Sequence, residues 1–439
     1  MRKLLIVLCA LGVLLGGATP ALADGPQVGA DIQVAQTLGA RELTVVIRRV
    51  DAVPGPVRVD VVTHAGSPAG QLDLRLGSST ERVSLGSTPG FSSATLQVDR
   101  PGPWELAVDD GTQVARIPFV VPVRASAPWE NAAYGGFVAA GLLLVAALLL
   151  AMFGRIVLAM VPAGGMVAAL AVAITAAVLS VSIPAPAPPG TQLDPTVDNV
   201  TDPYQKTSIV DFSRPPVNLV AGFDAGDVTL RLTDGATGRP VDDLLIHDNA
   251  LIHLIDVSPQ GRLQHLHPIR VAPGDYRAHL AAIEPGTHAV AAELARRGGG
   301  VQLLRASIQV SGAQTPIQEG KADVVTSVNP AGTPSTITAR FGAKNLQPWL
   351  GMLGHMIVVG PVTDSATTAP IWAHVHAMIP TTPGLPDKPD ESVAAFGPNV
   401  TYTYTFPLPG RYMTWIQVER DYSVITVPTM IDVPAMGGS

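Results

Sequence analysis

Six of the ten histidines in this chain form two groups with the same arrangement. Each group has a single histidine, followed further along the chain by a His-x-His pair. The first trio is His253, His265 and His267, and the second trio is His355, His374 and His376. Side chains two residues apart on a β-strand point to the same face, so each pair presents two imidazoles together. Three imidazole nitrogens are a common ligand set for copper or zinc, and the spacing therefore predicts two metal sites.

The residues around the trios predict that the imidazoles are buried. Leu251 and Ile255 share a predicted strand face with His253, and large apolar residues flank the other trio histidines in the same way. A buried imidazole needs a hydrogen-bond partner or a metal ion. Two interpretations stay open: each trio is a metal site, or each is a structural hydrogen-bonding cluster that was copied by duplication.

Two further side chains near the trios could extend the ligand sets. Met378 lies two residues after His376 on the same predicted face, and a thioether ligand would favour Cu(I). Copper is therefore the predicted metal, with zinc as the alternative. His247 has the right parity to join the first trio, but the following Asp248-Asn249 is typical of a turn, which argues against it.

The two trios lie in segments that look like copies of one another. In each segment the single histidine is followed by the His-x-His pair and then by a Gly-x-Tyr sequence. The Gly-x-Tyr sequences are Gly274-Asp275-Tyr276 and Gly410-Arg411-Tyr412. The second segment has a longer stretch between its single histidine and its pair, which fits a loop insertion around residues 364–370.

Two uncharged segments predict a transmembrane helical hairpin over residues 134–183. Residues 134–153 carry no charge and are long enough to cross a bilayer core of ~30 Å. A second uncharged segment runs from 156 to 183, and only Gly154-Arg155 separates the two. An even number of spans returns the chain to the side on which it started, so Arg155 is expected at a cytoplasmic turn.

The first residues predict export. Residues 1–23 have the basic start, apolar centre and small-x-small end of a cleaved signal peptide. Cys9, the only cysteine, lies inside this segment, so the mature chain is expected to lack disulfides and Cys-ligated metals. With the even number of spans, the soluble domains are expected on the extracytoplasmic side of the cell membrane.

The remaining sequence predicts a mainly β protein: three β-sandwich-like extracytoplasmic domains plus the two-helix transmembrane hairpin. About seven short strands, separated by turns such as Pro54-Gly55, predict the N-terminal sandwich. Two further β-rich domains carry the trios, and a stiff Pro-rich linker precedes them. The predicted boundaries are 24–128 for the N-terminal sandwich, 184–214 for the linker, 215–311 for the sandwich with the first trio and 322–434 for the sandwich with the second trio.

Composition and motifs exclude several classes of function. The formal net charge is −7 with 14% charged residues, and no Lys/Arg cluster predicts nucleic-acid binding. The sequence contains no nucleophile signature, phosphate-binding loop or dinucleotide fingerprint, so we do not expect an enzyme. The main rival to metal binding is a structural or interaction protein with inert histidines. A third interpretation is an accessory subunit that docks onto a membrane transporter through small residues of its second span.

The His-x-His strand followed by a Gly-x-Tyr hairpin resembles exported, membrane-tethered copper-handling proteins with cupredoxin-like β-sandwiches. The two trios carry this likeness, which covers the residues after the transmembrane hairpin. The resemblance implies copper binding, buffering or delivery outside the cell, with a metal-handling protein as a partner. It does not imply electron transfer, because the mature chain has no cysteine to form a blue-copper centre.

Overall fold

The structure is a computed structural model that describes residues 31–50, 53–121, 128–182, 214–316, 319–379 and 391–436. The predicted signal peptide and most of the predicted linker lie outside these residues. The chain divides into two compact units, one with the β-rich segments and one with two helices.

The N-terminal domain is a β-sandwich of antiparallel strands. The sheets have the orders β1-β2-β3-β6 and β5-β4-β7-β8. The strands are β1 (Ile32–Leu38), β2 (Arg41–Ile47), β3 (Gly55–Thr63), β4 (Gly70–Leu76), β5 (Ser79–Leu85), β6 (Gly90–Val98), β7 (Gly102–Asp109) and β8 (Val114–Val121). In β3, Val57, Val59 and Val61 are fully buried while Arg58 between them is exposed, as expected for a half-buried strand. The sandwich prediction is confirmed, and β1 is an additional strand that it missed.

The segment with the first trio is a second sandwich. One sheet has the order β14-β15-β10-β9, and the other has the order β17-β16-β12-β13, with the short β11 also paired to β16. The strands are β9 (Val217–Asp224), β10 (Asp227–Asp234), β11 (Leu244–Leu245), β12 (Ile252–Val257), β13 (Leu263–Leu266), β14 (Ile269–Ala272), β15 (Asp275–His279), β16 (Gly286–Arg296) and β17 (Gly300–Val310).

The segment with the second trio is a third sandwich. Its sheets have the orders β18-β19-β22 and β21-β20-β23-β24. The strands are β18 (Asp323–Ser327), β19 (Pro334–Arg340), β20 (Gly354–Gly360), β21 (Ile371–Ala377), β22 (Asn399–Thr405), β23 (Gly410–Arg420) and β24 (Ser423–Val433). Val400 and Tyr402 of β22 are buried while Thr401, Thr403 and Thr405 are exposed, as expected for a half-buried strand.

The sheet β17-β16-β12-β13 corresponds strand for strand to β24-β23-β20-β21, so the predicted repeat is present in the fold. The Gly-x-Tyr part of that prediction is wrong. Gly410 begins β23, whose counterpart β16 begins at Gly286, and these glycines have similar φ angles of 129° and 136°. Gly274-Asp275-Tyr276 leads instead into β15, in the opposite sheet. A glycine turn followed by an aromatic residue marks many strand starts, so the sequence pattern did not identify one particular strand.

The two histidine-bearing sheets pack against each other, and their central strands are buried on both faces. In β20, Met356 and Val358 lie in the core of their own sandwich. Ile357 and Val359 alternate with them and pack in a separate cluster with Ile255 of the other repeat. This packing explains why β12 and β20 lack an apolar–polar alternation, since neither face meets water.

The second unit contains α1 (Pro128–Met152) and α2 (Ile156–Ser182). Both helices are long and apolar enough to cross a membrane. They separate at Gly154, whose φ of 72° suits a glycine turn. A Cβ on Gly136 would lie 2.9 Å from the Cβ of Ala173, so the helices approach closely where a glycine permits it. The prediction of two apolar helices joined at Gly154-Arg155 is confirmed.

Candidate metal centre

The structure brings the two predicted trios into one cluster between the facing sheets. The ring centroids of His253 and His374 are 5.1 Å apart, those of His265 and His374 are 5.0 Å apart, and those of His265 and His355 are 5.8 Å apart. Within each trio, one nitrogen from each ring lies within 4.8 Å of the others. The six histidines are therefore adjoining halves of a single centre, where the sequence predicted two separate sites.

The strands of the two repeats place their histidines in the same way. On β20 and β21, His355 lies opposite His376, and His374 lies opposite Ile357. On β12 and β13, His265 lies opposite Ile255, just as His374 lies opposite Ile357 in the other repeat. The side chains of His253 and His265, and those of His355, His374 and His376, therefore project from one face of their sheets towards the other repeat, while His267 follows the end of β13.

A backbone carbonyl fixes the outer nitrogen of each single histidine. His253 Nε2 donates to the carbonyl oxygen of His247 at 3.1 Å, and His355 Nε2 donates to that of Trp349 at 3.1 Å. A carbonyl oxygen only accepts hydrogen bonds, so Nε2 carries the proton in both neutral rings. Their Nδ1 atoms, which face into the trios, are consequently left with a bare lone pair.

Side chains from the opposite repeat fix the middle histidines. His374 Nδ1 donates to Glu293 Oε2 at 3.1 Å, and His265 Nδ1 donates to Gln417 Oε1 at 2.9 Å. These two acceptors occupy equivalent positions, because Glu293 lies opposite His253 and Gln417 lies opposite His355 in the sheets. Each repeat thus orients a histidine of the other, and the Nε2 atoms of His265 and His374 are left unprotonated.

When the rings are neutral, two unprotonated nitrogens therefore face each other in each trio. His355 Nδ1 lies 2.9 Å from His374 Nε2, and His253 Nδ1 lies 3.1 Å from His265 Nε2. Two lone pairs at this distance repel unless a proton or a metal cation lies between them. Two nitrogens bound to one metal at about 2.0–2.1 Å in tetrahedral geometry are about 3.3 Å apart, close to the observed distances. The donor set therefore fits a metal ion.

The third histidine of each trio has a buried nitrogen that makes no hydrogen bond. His267 Nδ1 is bonded to the carboxylate of Glu42, and its Nε2 is without a partner. His376 Nε2 likewise makes no hydrogen bond and lies 3.5 Å from Asp248 Oδ2. A buried polar atom without a partner is costly, and coordination of a cation would satisfy it.

The N-terminal sandwich also contributes to the first trio. Glu42 belongs to β2, and neighbouring β1 bonds directly to the loop after β13. The Thr37 amide donates to the His267 carbonyl at 2.7 Å, and the His267 amide donates to Thr37 Oγ1 at 2.8 Å. All three sandwiches therefore position the centre.

The electrostatics keep most of the cluster neutral. Burial, reinforced by neighbouring histidines, lowers the pKa of His253, His265 and His355 well below the usual value. The same causes lower the pKa of His376 to about 4. Burial alone would raise the pKa of Glu293, but hydrogen bonds from His247 and His374 outweigh it and lower that pKa. Near neutral pH these four imidazoles are therefore neutral, which is the form that coordinates metal.

The structure places Met378 away from the expected position. It follows the last residue of β21, and its side chain is 62% exposed, whereas the trio histidines are buried or half-buried. The extrapolated strand parity put Met378 on the ligand face, but the strand ends at Ala377, so the parity no longer applies. The exposed position of Met378 argues against the thioether ligand, which stays a prediction.

Sequence reasoning missed the carboxylates and the amide that orient the trios. Glu293 is a single acidic residue in the alanine-rich strand β16, and such an isolated charge in an apolar run was a usable signal. Glu42 and Gln417 have no such signal, because their strands look ordinary. Trp349 was also missed, and its buried ring packs on His265 and His355 with centroids 5.3 and 4.9 Å apart.

Residues 318–435, which cover the third sandwich, match a domain of unknown function (DUF8832). No curated protein matches the chain. Similar solved structures include the FN1-FN3 domains of chicken CNTN1, with 9% identity and a TM-score of 0.16 over 88% of this chain and 97% of that chain. Another is FdeC, an Escherichia coli adhesin, with 10% identity and a TM-score of 0.16 over 94% of this chain and 100% of that chain. At these TM-scores the alignments carry no argument, and the β-sandwich description rests on the strands themselves.

Proposed function

We propose that the chain is a membrane-anchored, extracytoplasmic metal-binding protein in which each histidine trio binds one copper ion. The observation that supports this most is the pair of closely facing ring nitrogens in each trio, whose outer nitrogens are held by hydrogen-bond acceptors. Glu293 cannot donate a hydrogen bond when ionised, and neither can the Trp349 carbonyl, so both protons of the facing rings are held outward in the second trio. A cation between the rings resolves the repulsion that remains.

Charge and access favour Cu(I) over a dipositive ion in the first trio. His253 and His267 are at most 1% exposed, so water has little access as a fourth ligand. Zinc sites, in contrast, have four ligands in most proteins. Among the described residues, Glu42 is the one carboxylate bonded to this trio, and its negative charge would balance a monovalent cation. Imidazole ligands suit copper, and the lowered pKa values mean that few protons compete.

The wider function we propose is copper buffering or delivery at the outer face of the membrane. The two apolar helices would anchor the sandwiches to the lipid bilayer, and a membrane transporter or another metal-handling protein would be the partner. A site this enclosed exchanges its ion only when the sandwiches move apart, which suits storage or handover to a docked partner.

A structural role for the histidines is the second candidate. The cluster lies in the interface of two sandwiches beside an apolar core that includes Ile255, Ile357 and Trp415. In this view one ring of each facing pair takes up a proton, and the resulting hydrogen bond joins strands without a metal. The two candidates differ in whether copper binds and stabilises the fold.

The test is a titration of the metal-free full chain, in detergent, with Cu(I) against a chromophoric chelator. We expect two copper ions per chain and a rise in melting temperature, because a ligand that binds only the folded state stabilises it. His267→Asn and His355→Asn should each remove one copper ion. His279→Asn is the matched control, since His279 pairs with Asp227 away from both trios.

Copper should also quench the fluorescence of Trp349, whose ring contacts both trios. If the wild-type chain binds no copper, or if its melting temperature and fluorescence do not change with Cu(I), the structural candidate replaces the metal-binding one.

A further inference from the structure

A second group of possible ligands lies beside the second trio and contains oxygen as well as nitrogen. His247 Nε2 lies 3.2 Å from Asp248 Oδ2 and 3.5 Å from Glu293 Oε1. His376 Nε2 lies 3.5 Å from the same Asp248 oxygen. Glu293 uses its other oxygen for His374, so Oε1 is directed towards this group. His247 and Asp248 at the turn before β12 and Glu293 on β16 each offer one ligand atom within 4.8 Å of the others.

The distances fit a tetrahedral metal site. Ligands at about 2.0–2.2 Å from a tetrahedral zinc ion are about 3.3–3.5 Å from each other, which matches the observed separations. The Asp248 side chain is only 2% exposed, and neither of its buried carboxylate oxygens accepts a hydrogen bond. A buried carboxylate without hydrogen bonds is strongly disfavoured, and a cation is the usual compensation.

The charge of this group also points to a dipositive ion. In the part of the chain that the structure describes, the ion pairs of Asp248 and Glu293 are with histidines only. The two carboxylates together carry two negative charges, which one divalent cation would cancel.

The second repeat provides an internal comparison. His247 and Ala250 exchange backbone hydrogen bonds around a two-residue turn, as Trp349 and Met352 do in the other repeat. The residue equivalent to Asp248 is then Leu350, with φ angles of 47° and 54°. The fold therefore accepts apolar residues at this turn, and the polar set is not required by the backbone.

The equivalent of Glu293 is Gln417, so all three polar residues of the first repeat are replaced in the second. The polar set occurs once, beside His376, whereas the corresponding place beside the first trio holds Trp349 and Gln417. This asymmetry indicates a ligand on one side of the centre only.

We propose that His247, Asp248 and Glu293 form a third metal site, which takes Zn²⁺. The mixed nitrogen and oxygen set suits zinc, while the all-nitrogen trios suit copper. The site adds to the two trios and does not require copper in either of them. Zinc here would hold the turn before β12 against β16, next to the second trio.

The experiment measures Zn²⁺ binding to the metal-free full chain by equilibrium dialysis, with a parallel Cu(I) titration. Asp248→Asn keeps the shape and the turn but removes the charge, because asparagine tolerates the left-handed conformation. We expect the zinc affinity of the third site to fall by more than about 100-fold in this variant. Removing a residue that only orients a ligand costs about 10- to 100-fold, so a larger loss marks Asp248 as a ligand. Its Cu(I) binding at the first trio should be unchanged.

The control is Asn249→Gly, which copies Gly351 of the other repeat and changes the same turn without removing a ligand. Circular dichroism and the melting temperature of the metal-free variants show whether the fold is kept. The proposal is overturned if Asp248→Asn and Asn249→Gly bind zinc like the wild type, or if zinc binding is lost only with His267→Asn. If the wild-type chain binds zinc at the third site but binds no copper, the proposed copper function is refuted and the zinc site stands.

Discussion

The metal-free protein should show two opposing pH dependences of stability, which come from two buried groups. The pKa of His376 is lowered to about 4 by burial and by His374. The pKa of Glu391 is raised to about 7 by burial and by the nearby carboxylate of Glu419. Both groups lie in the region where the third sandwich meets the other two.

The signs of the two contributions are opposite. A histidine with a lowered pKa stabilises the fold above its unfolded value of 6.5, and this contribution is lost as the pH falls towards 4. A glutamate with a raised pKa stabilises the fold below its unfolded value of 4.5, and this contribution is lost as the pH rises through 7. Each pH unit between the two values changes the free energy of unfolding by about 1.4 kcal/mol. Between pH 6.5 and pH 4.5, each group therefore contributes roughly 2.7 kcal/mol, in opposite directions.

The assay compares urea unfolding of the metal-free wild type, His376→Gln and Glu391→Gln in a strong chelator, followed by tryptophan fluorescence. On acidification from pH 6.5 to pH 4.5, His376→Gln should lose roughly 2.7 kcal/mol less stability than the wild type, and Glu391→Gln roughly 2.7 kcal/mol more. His279→Gln, at a half-exposed histidine, controls for the substitution itself. Three parallel curves would refute the reasoning, because they would mean that neither group changes its pKa on folding.

Three further predictions follow from the centre and from the helices. Glu42→Gln should weaken Cu(I) binding at the first trio by about 10- to 100-fold, because His267 loses the carboxylate that orients it; a chelator competition assay measures this. Met378→Leu should leave Cu(I) affinity unchanged, since the side chain is 62% exposed, and any weakening in the same assay would return Met378 to the ligand set. Cysteines introduced at Ser79 and Asp364 should both react with an impermeant thiol reagent in intact cells if the apolar helices span the membrane as a hairpin; protection of either would overturn that topology.

The asymmetric part of the centre shows where sequence reasoning stopped. The sequence predicts the turn at Asp248-Asn249 correctly, and this turn argues against His247 as a ligand of the first trio. In the structure the turn directs the His247 side chain towards the second trio instead, next to Glu293. Alternation along the sequence predicts which residues share a face of a strand, but it does not predict which other sheet packs against that face.

The sequence by itself determined the elements and most of the candidate ligands. Alternation and turn residues defined the sandwiches, the absence of charge defined the helices, and the period of two placed each His-x-His pair on one face. These features depend on neighbours along the chain. Tertiary structure alone decided that both trios face one interface, that Glu293 and Gln417 orient histidines of the opposite repeat, and that Glu42 is supplied by the N-terminal sandwich. Those contacts join residues far apart in sequence, and their pairing depends on how whole sheets pack, which no local pattern encodes.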